Sequence, residues 1–108
     1  MASYKTDPHF PEIVKAIKSS FAPKKLYLFG SRTTEQVRPD SDYDFVVVNK
    51  RKKDSLDQMS DARDLIWEKC GVSADVFVYS QKEFDEWKDE LSSIPETALN
   101  TGIEIDLG

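Results

Sequence analysis

Three aspartates and a glycine-serine turn carry the residue types most suited to phosphate chemistry. Gly30 and Ser31 follow a short apolar segment, Asp42 and Asp44 open a second one, and Asp75 opens a third. Because residues i and i+2 of a strand point to the same face, we expect Asp42 and Asp44 to point their carboxylates the same way. Hard divalent cations prefer carboxylate oxygens. The pattern therefore predicts a divalent-metal site made of the three aspartates.

The turn beside these aspartates is suited to holding phosphate. Glycine lets the backbone approach an anion closely, and the amides of a turn point donors at it. Ser31 adds a hydroxyl donor. Arg32 has two interpretations, which stay open: it contacts phosphate, or it pairs with a nearby carboxylate and fixes the turn. A paired-metal site about 4 Å across stabilises both the attacking and the leaving oxygens of an in-line displacement.

Taken together, these motifs resemble the minimal nucleotidyltransferases of the DNA polymerase beta superfamily. The resemblance rests on Gly30-Ser31-Arg32, on Asp42-x-Asp44 and on the later Asp75, and it extends over nearly the whole chain. It implies an enzyme that transfers a nucleoside monophosphate, AMP from ATP, to a hydroxyl with release of pyrophosphate. Two Mg²⁺ ions would be bound by Asp42, Asp44 and Asp75. Asp75 would also help remove the hydroxyl proton, and Gly30 and Ser31 would hold the outgoing phosphates.

The turn departs from the family pattern after Arg32. Many relatives continue with Ala-Arg-Gly, whereas this chain has Thr33-Thr34-Glu35. An acidic side chain thus replaces a basic one beside the predicted triphosphate site, and the three aspartates are unchanged.

The resemblance also implies a partner. Relatives of this size are paired with a small helical HEPN-type toxin and act as its antitoxin by adding AMP to a tyrosine, which would make this chain a protein adenylyltransferase. A homo-oligomer or a heteromeric assembly is a further expectation. Two alternatives remain open: a noncatalytic module that neutralises a partner by contact, and nucleotidyl transfer to a small molecule.

Length, charge and composition indicate which other classes of protein the sequence argues against. The 108 residues are expected to form one domain, 1–108, and the net charge of −5 argues against an extended nucleic-acid surface. We interpret the basic cluster Lys50-Arg51-Lys52-Lys53 as a solvated turn outside the active site. One cysteine, no long apolar run and no signal pattern favour a cytoplasmic protein without a membrane span. Cys70 is expected in the core and His9 on the surface.

Apolar periodicity predicts an α/β (α+β) fold, a two-layer palm with a mixed sheet of about four strands. Helices are expected from Asp7-Pro8 to Ala22-Pro23, over 55–70, and from the capping box Ser80-x-x-Glu83, with Phe84, Trp87 and Leu91 on one face. A short helical or irregular segment is expected over 32–37. Strands are expected at 26–29, 42–48 and 75–79. Pro95 should begin a last helix ending at Gly102, followed by a strand in which Ile103 and Ile105 alternate.

Overall fold

The structure, a computed structural model, describes residues 8–30, 43–49, 55–71 and 73–107, and for residues 55–59 it describes the backbone alone. Four helices and four strands form within these ranges, in the order predicted from the sequence. They are α1 (Phe10–Phe21), β1 (Lys25–Phe29), β2 (Tyr43–Asn49), α2 (Ser55–Cys70), β3 (Ala74–Ser80), α3 (Gln81–Trp87), α4 (Ile94–Thr101) and β4 (Ile103–Glu104). The segment expected over 32–37 lies outside the described residues.

The four strands form one mixed sheet in the order β3-β2-β1-β4. β2 and β3 are parallel, whereas β1 is antiparallel to both β2 and β4. Parallel neighbours need a long crossover connection, and α2 lies within the one that joins β2 to β3. This arrangement confirms the predicted fold class, a four-stranded mixed sheet with helices packed against it.

Both faces of the sheet carry helices, so the prediction of two layers is wrong and the described elements form three. Alternation along each strand decides which residue meets which helix. We call the side under α1 and α2 the first face and the side under α3 and α4 the second face. The first-face core contains Ile13, Ala16, Ile17, Phe21, Leu26, Leu28, Tyr43, Phe45, Val47, Ala62, Ile66, Cys70, Ala74, Val76, Val78 and Ile105. The smaller second-face core contains Tyr27, Val46, Val48, Phe84 and Ala98.

Local signals fix most helix ends. Gly71, in the left-handed region at φ +66°, follows the last residue of α2. The predicted capping box of α3 is confirmed, because Ser80 Oγ accepts from the Glu83 amide at 3.1 Å and Glu83 Oε1 accepts from the Ser80 amide at 3.1 Å. The start of α1 was predicted wrongly: Pro8 lies in a turn and the helix begins at Phe10. Pro11 takes the early helical position that proline favours.

The apolar face predicted for α3 is wrong beyond Phe84. Phe84 is buried, but Trp87 is 51% exposed and Leu91 is 87% exposed. The helix ends at Trp87 after seven residues, so the helical spacing that would align Leu91 with Phe84 no longer applies. The last strand is also shorter than predicted: β4 has two residues, and Ile105 follows it while donating its amide to Leu26 O at 2.8 Å.

Two single-residue predictions are confirmed, since His9 is exposed and Cys70 is buried. None of the helices within the described ranges is long and apolar enough to cross a membrane.

Candidate functional site

A row of three residues crosses the sheet at the end where β1 finishes and β2 and β3 begin. Phe29 pairs with Asp44 between β1 and β2, and Asp44 pairs with Asp75 between β2 and β3. Neighbouring strands lie about 4.8 Å apart, so this register makes the two aspartates immediate neighbours. The acidic start of β2 therefore lies beside the end of β1.

Both aspartates belong to the second face of the sheet. Tyr43 and Phe45 are buried on the first face, so the residue between them, Asp44, projects to the opposite side. The same alternation between Ala74 and Val76 assigns Asp75 to the second face.

The helices α3 and α4 leave this row of carboxylates accessible. They cover the middle of the second face, where Phe84 stacks on Tyr27 with ring centroids 5.4 Å apart and Val46 belongs to the same core cluster. Asp44 is half-buried, and the Asp75 side chain is 40% exposed. A ligand can therefore reach the two carboxylates without displacing α3 or α4.

Two independent features favour glycine at position 30. Its φ of +82° lies in the left-handed region, which side chains disfavour. In addition, a Cβ atom at this position would lie 2.5 Å from Asp44 Oδ2, so the carboxylate fills the space that a side chain would need. Sequence analysis assigned Gly30 to phosphate binding and missed this role.

Arg63 is a second residue that sequence analysis missed. It extends from α2, and its Nη1 lies 3.9 Å from Asp75 Oδ1. The two residues border a cavity of about 200 Å³, which is also lined by Ser60, Val76 and Phe77. Arg63 lies off the apolar stripe of its helix, and no sequence signal connects it to a strand that begins eleven residues later.

A larger cavity of about 520 Å³ lies between α1 and the residues that follow β4. Neither Asp44 nor Asp75 lines it. We assign the site from the carboxylates rather than from cavity size, because the chemistry depends on oxygen ligands.

Four groups of residues named in the sequence analysis lie outside the described part of the chain. They are Asp42, Ser31-Arg32, Thr33-Thr34-Glu35 and Lys50-Arg51-Lys52-Lys53. Within the described residues no group of three or more His, Cys, Asp or Glu side chains could hold a metal ion. Asp44 and Asp75 are the two described members of the predicted set of three, and their oxygen atoms fit a hard cation such as Mg²⁺.

Two tyrosines of the second face hold their phenolic protons more tightly than usual. Burial, followed by the charges of Glu104 and Asp85, raises the pKa of Tyr27 above its usual value of 10.0. Burial, followed by the charge of Glu83, raises the pKa of Tyr79 in the same direction. Both phenols therefore stay protonated near neutral pH and do not act as proton acceptors there.

A four-stranded mixed sheet with packed helices is consistent with the nucleotidyltransferase fold. Comparison with family models then gives a match over residues 11–91 to the family described as Polymerase beta, Nucleotidyltransferase. Because this match spans well over half of the chain, the protein belongs to that nucleotidyltransferase family. No curated protein matches the chain significantly.

Proposed function

We propose that this protein is a Mg²⁺-dependent nucleotidyltransferase that moves AMP from ATP to a hydroxyl. The observation that carries the proposal is the pairing of Asp44 with Asp75 on adjacent parallel strands, next to Gly30, which follows β1. The family supports nucleotidyl transfer in general. The half-buried carboxylates on an accessible part of the sheet support a site that admits both a nucleotide and an acceptor.

Each residue has a defined role in this proposal. Asp42, Asp44 and Asp75 are the metal ligands, and two bound Mg²⁺ ions would neutralise the phosphates and acidify the attacking hydroxyl. Gly30 and Ser31 orient the departing pyrophosphate through backbone amides and a hydroxyl, with Arg32 beside them. Asp75 accepts the hydroxyl proton while the acceptor oxygen bonds to the α-phosphorus. The bond from that phosphorus to pyrophosphate breaks in the same displacement.

The acceptor in this proposal is a tyrosine on a HEPN-type helical partner, so that the enzyme acts as a cytoplasmic antitoxin. Support comes from the resemblance of the sequence motifs to those of the minimal nucleotidyltransferases.

Two other functions have an observation in their favour. Glu35, four residues after Ser31 in the sequence, favours a noncatalytic module that binds a partner, because an acidic side chain near the predicted phosphate site opposes triphosphate binding. The 200 Å³ cavity beside Asp75 favours a small acceptor molecule.

The test is label transfer from ATP carrying a radioactive α-phosphate, in the presence of Mg²⁺ and source-cell lysate. We expect the wild type to label a macromolecule and the variants Asp42→Asn, Asp44→Asn and Asp75→Asn to label nothing. Asp61→Asn is the matched control, because Asp61 is an exposed aspartate of α2. It should label as the wild type does.

Each outcome separates the candidate functions. Undiminished labelling by Asp44→Asn and Asp75→Asn would show that the assigned carboxylates do not carry the reaction. Label on a low-molecular-weight product would identify a small acceptor. Absence of any label, with a partner still captured by the wild type and by Asp44→Asn, would favour the binding module.

A further inference from the structure

Two large apolar side chains lie exposed where α3 ends. Trp87 is the last residue of α3 and is 51% exposed, and Leu91, in the connection to α4, is 87% exposed. We call these two residues, together with the acidic residues Asp85, Glu86, Asp89 and Glu90, the Trp87 surface. Single exposed apolar residues are common, but these two lie only four residues apart, and tryptophan is enriched among the residues that carry the binding energy of protein interfaces.

The connection that presents these side chains is held by hydrogen bonds. Glu90 donates its amide to Trp87 O at 3.0 Å, and Ser93 donates its amide to Glu90 O at 3.0 Å and its hydroxyl to Trp87 O at 2.7 Å. Ser93 Oγ also accepts from the Glu96 amide at 3.2 Å, which ties the connection to the start of α4. Ser92 has φ +68°, an unfavourable value for a residue with a side chain. A surface already ordered in this way loses little conformational entropy when it binds.

The charge around the Trp87 surface is acidic. Lys88 is the one basic residue within 85–90, and it is paired with Asp85 at 3.8 Å. The acidic residues of that segment are Asp85, Glu86, Asp89 and Glu90. An apolar pair among carboxylates is complementary to a segment that combines lysine or arginine with leucine-like side chains.

The Trp87 surface lies on the same side of the sheet as the candidate site. The packing of Phe84 against Tyr27 fixes α3 on the second face, which also carries Asp44 and Asp75. We propose that the Trp87 surface docks a basic, amphipathic segment of the protein substrate and so delivers its hydroxyl to the carboxylates. The docking contact stands on the surface itself, whereas the identity of the docked protein as the acceptor rests on the proposed function.

The chain offers a matched control for a binding experiment. Its second tryptophan, Trp67, is 62% exposed but belongs to α2, which covers the opposite face. Trp67→Phe and Trp87→Phe therefore give two proteins, each with one tryptophan that reports on one surface. The probe is a synthetic amphipathic helix of lysine and leucine about five turns long, and a control peptide has glutamate in place of lysine.

We expect the lysine peptide to shift the emission of Trp87 to shorter wavelength in Trp67→Phe and to leave Trp67 unchanged in Trp87→Phe. Adding Leu91→Ser to Trp67→Phe should weaken binding at least about tenfold. Equal shifts at both tryptophans, or an unchanged affinity in Leu91→Ser, would overturn the docking proposal. A concentration-dependent shift of Trp87 without peptide, together with dimers in sedimentation velocity, would do so too, by making a second copy the occupant.

The lysate labelling experiment then separates the two proposals. Peptide binding needs neither metal nor nucleotide, so it reports on docking even if no transfer occurs. In labelling, Leu91→Ser should lose most of the labelled macromolecule and keep the thermal stabilisation that Mg²⁺-ATP gives the wild type. Full labelling by Leu91→Ser would refute delivery of the acceptor by the Trp87 surface and leave nucleotidyl transfer standing.

Discussion

Replacing Gly30 by alanine tests the contact between the end of β1 and Asp44. A left-handed backbone at φ +82° costs an alanine about 1–2 kcal/mol. The new Cβ would also lie 2.5 Å from Asp44 Oδ2, so the carboxylate must rotate away, at about 0.5–1.5 kcal/mol for an unfavourable side-chain angle. The sum is about 1.5–3.5 kcal/mol. The fold should survive, because the atom that has to move is the end of a side chain.

Gly71→Ala is the matched control. Gly71 has φ +66°, and no atom lies within 4 Å of the position of its added Cβ, so the substitution carries the backbone cost alone, about 1–2 kcal/mol. Urea unfolding should therefore show a loss of stability about 1 kcal/mol larger in Gly30→Ala than in Gly71→Ala. Titration with Mn²⁺, followed by electron paramagnetic resonance, should show binding weakened at least about tenfold in Gly30→Ala alone.

Two results would contradict this reasoning. Equal stability losses in the two variants would mean that Asp44 does not need the space beside Gly30. An unchanged Mn²⁺ affinity in Gly30→Ala would mean that the orientation of Asp44 does not matter for metal binding, or that Asp44 is not a ligand. Asp44→Asn, measured in the same titration, separates these two explanations.

Three further substitutions give defined outcomes. Arg63→Gln removes a competing cation from Asp75 and should bind Mn²⁺ several-fold more tightly, with stability changed by less than about 0.5 kcal/mol because the pair is exposed. Lys69→Gln, on the same helix, should change neither the Mn²⁺ affinity nor the stability. Looser Mn²⁺ binding in Arg63→Gln would show that Arg63 does not compete with the metal. Ser80→Ala removes the cap of α3 and should lower the unfolding free energy in urea by about 1 kcal/mol, and no loss would mean that the cap is dispensable. The pKa of Tyr27 is raised in the folded state, so the unfolded state releases the phenolic proton first as pH rises. The stabilisation that this difference gives the folded state is complete below pH 10.0 and is lost as the pH rises above it. Tyr27→Phe should therefore flatten the decrease in urea midpoint above pH 10.0, and parallel curves would refute the assignment.

Local signals in the sequence were sufficient for much of the fold. The helix at 55–70 was predicted with the ends it has, and Ser80 and Glu83 were identified as a capping box, because stripes, caps and glycine stops act within a few residues. Leu91 was misplaced because the same periodicity holds only while a helix continues. Strand order, the contact of Arg63 with Asp75 and the fit of Gly30 against Asp44 depend on residues that are distant in sequence, and no local pattern contains them.

The position of the candidate site follows from the core of β2 rather than from the aspartates themselves. Tyr43, Phe45 and Val47 are buried under α1 and α2, and this alternation directs Asp44 to the other face. A slip of one residue would bury Asp44 in the first-face core and expose Phe45, which is too costly to be populated. Because β3 alternates in phase, burial of Ala74 and Val76 directs Asp75 to the same side. The apolar pattern that stabilises the sheet therefore also brings the two carboxylates together.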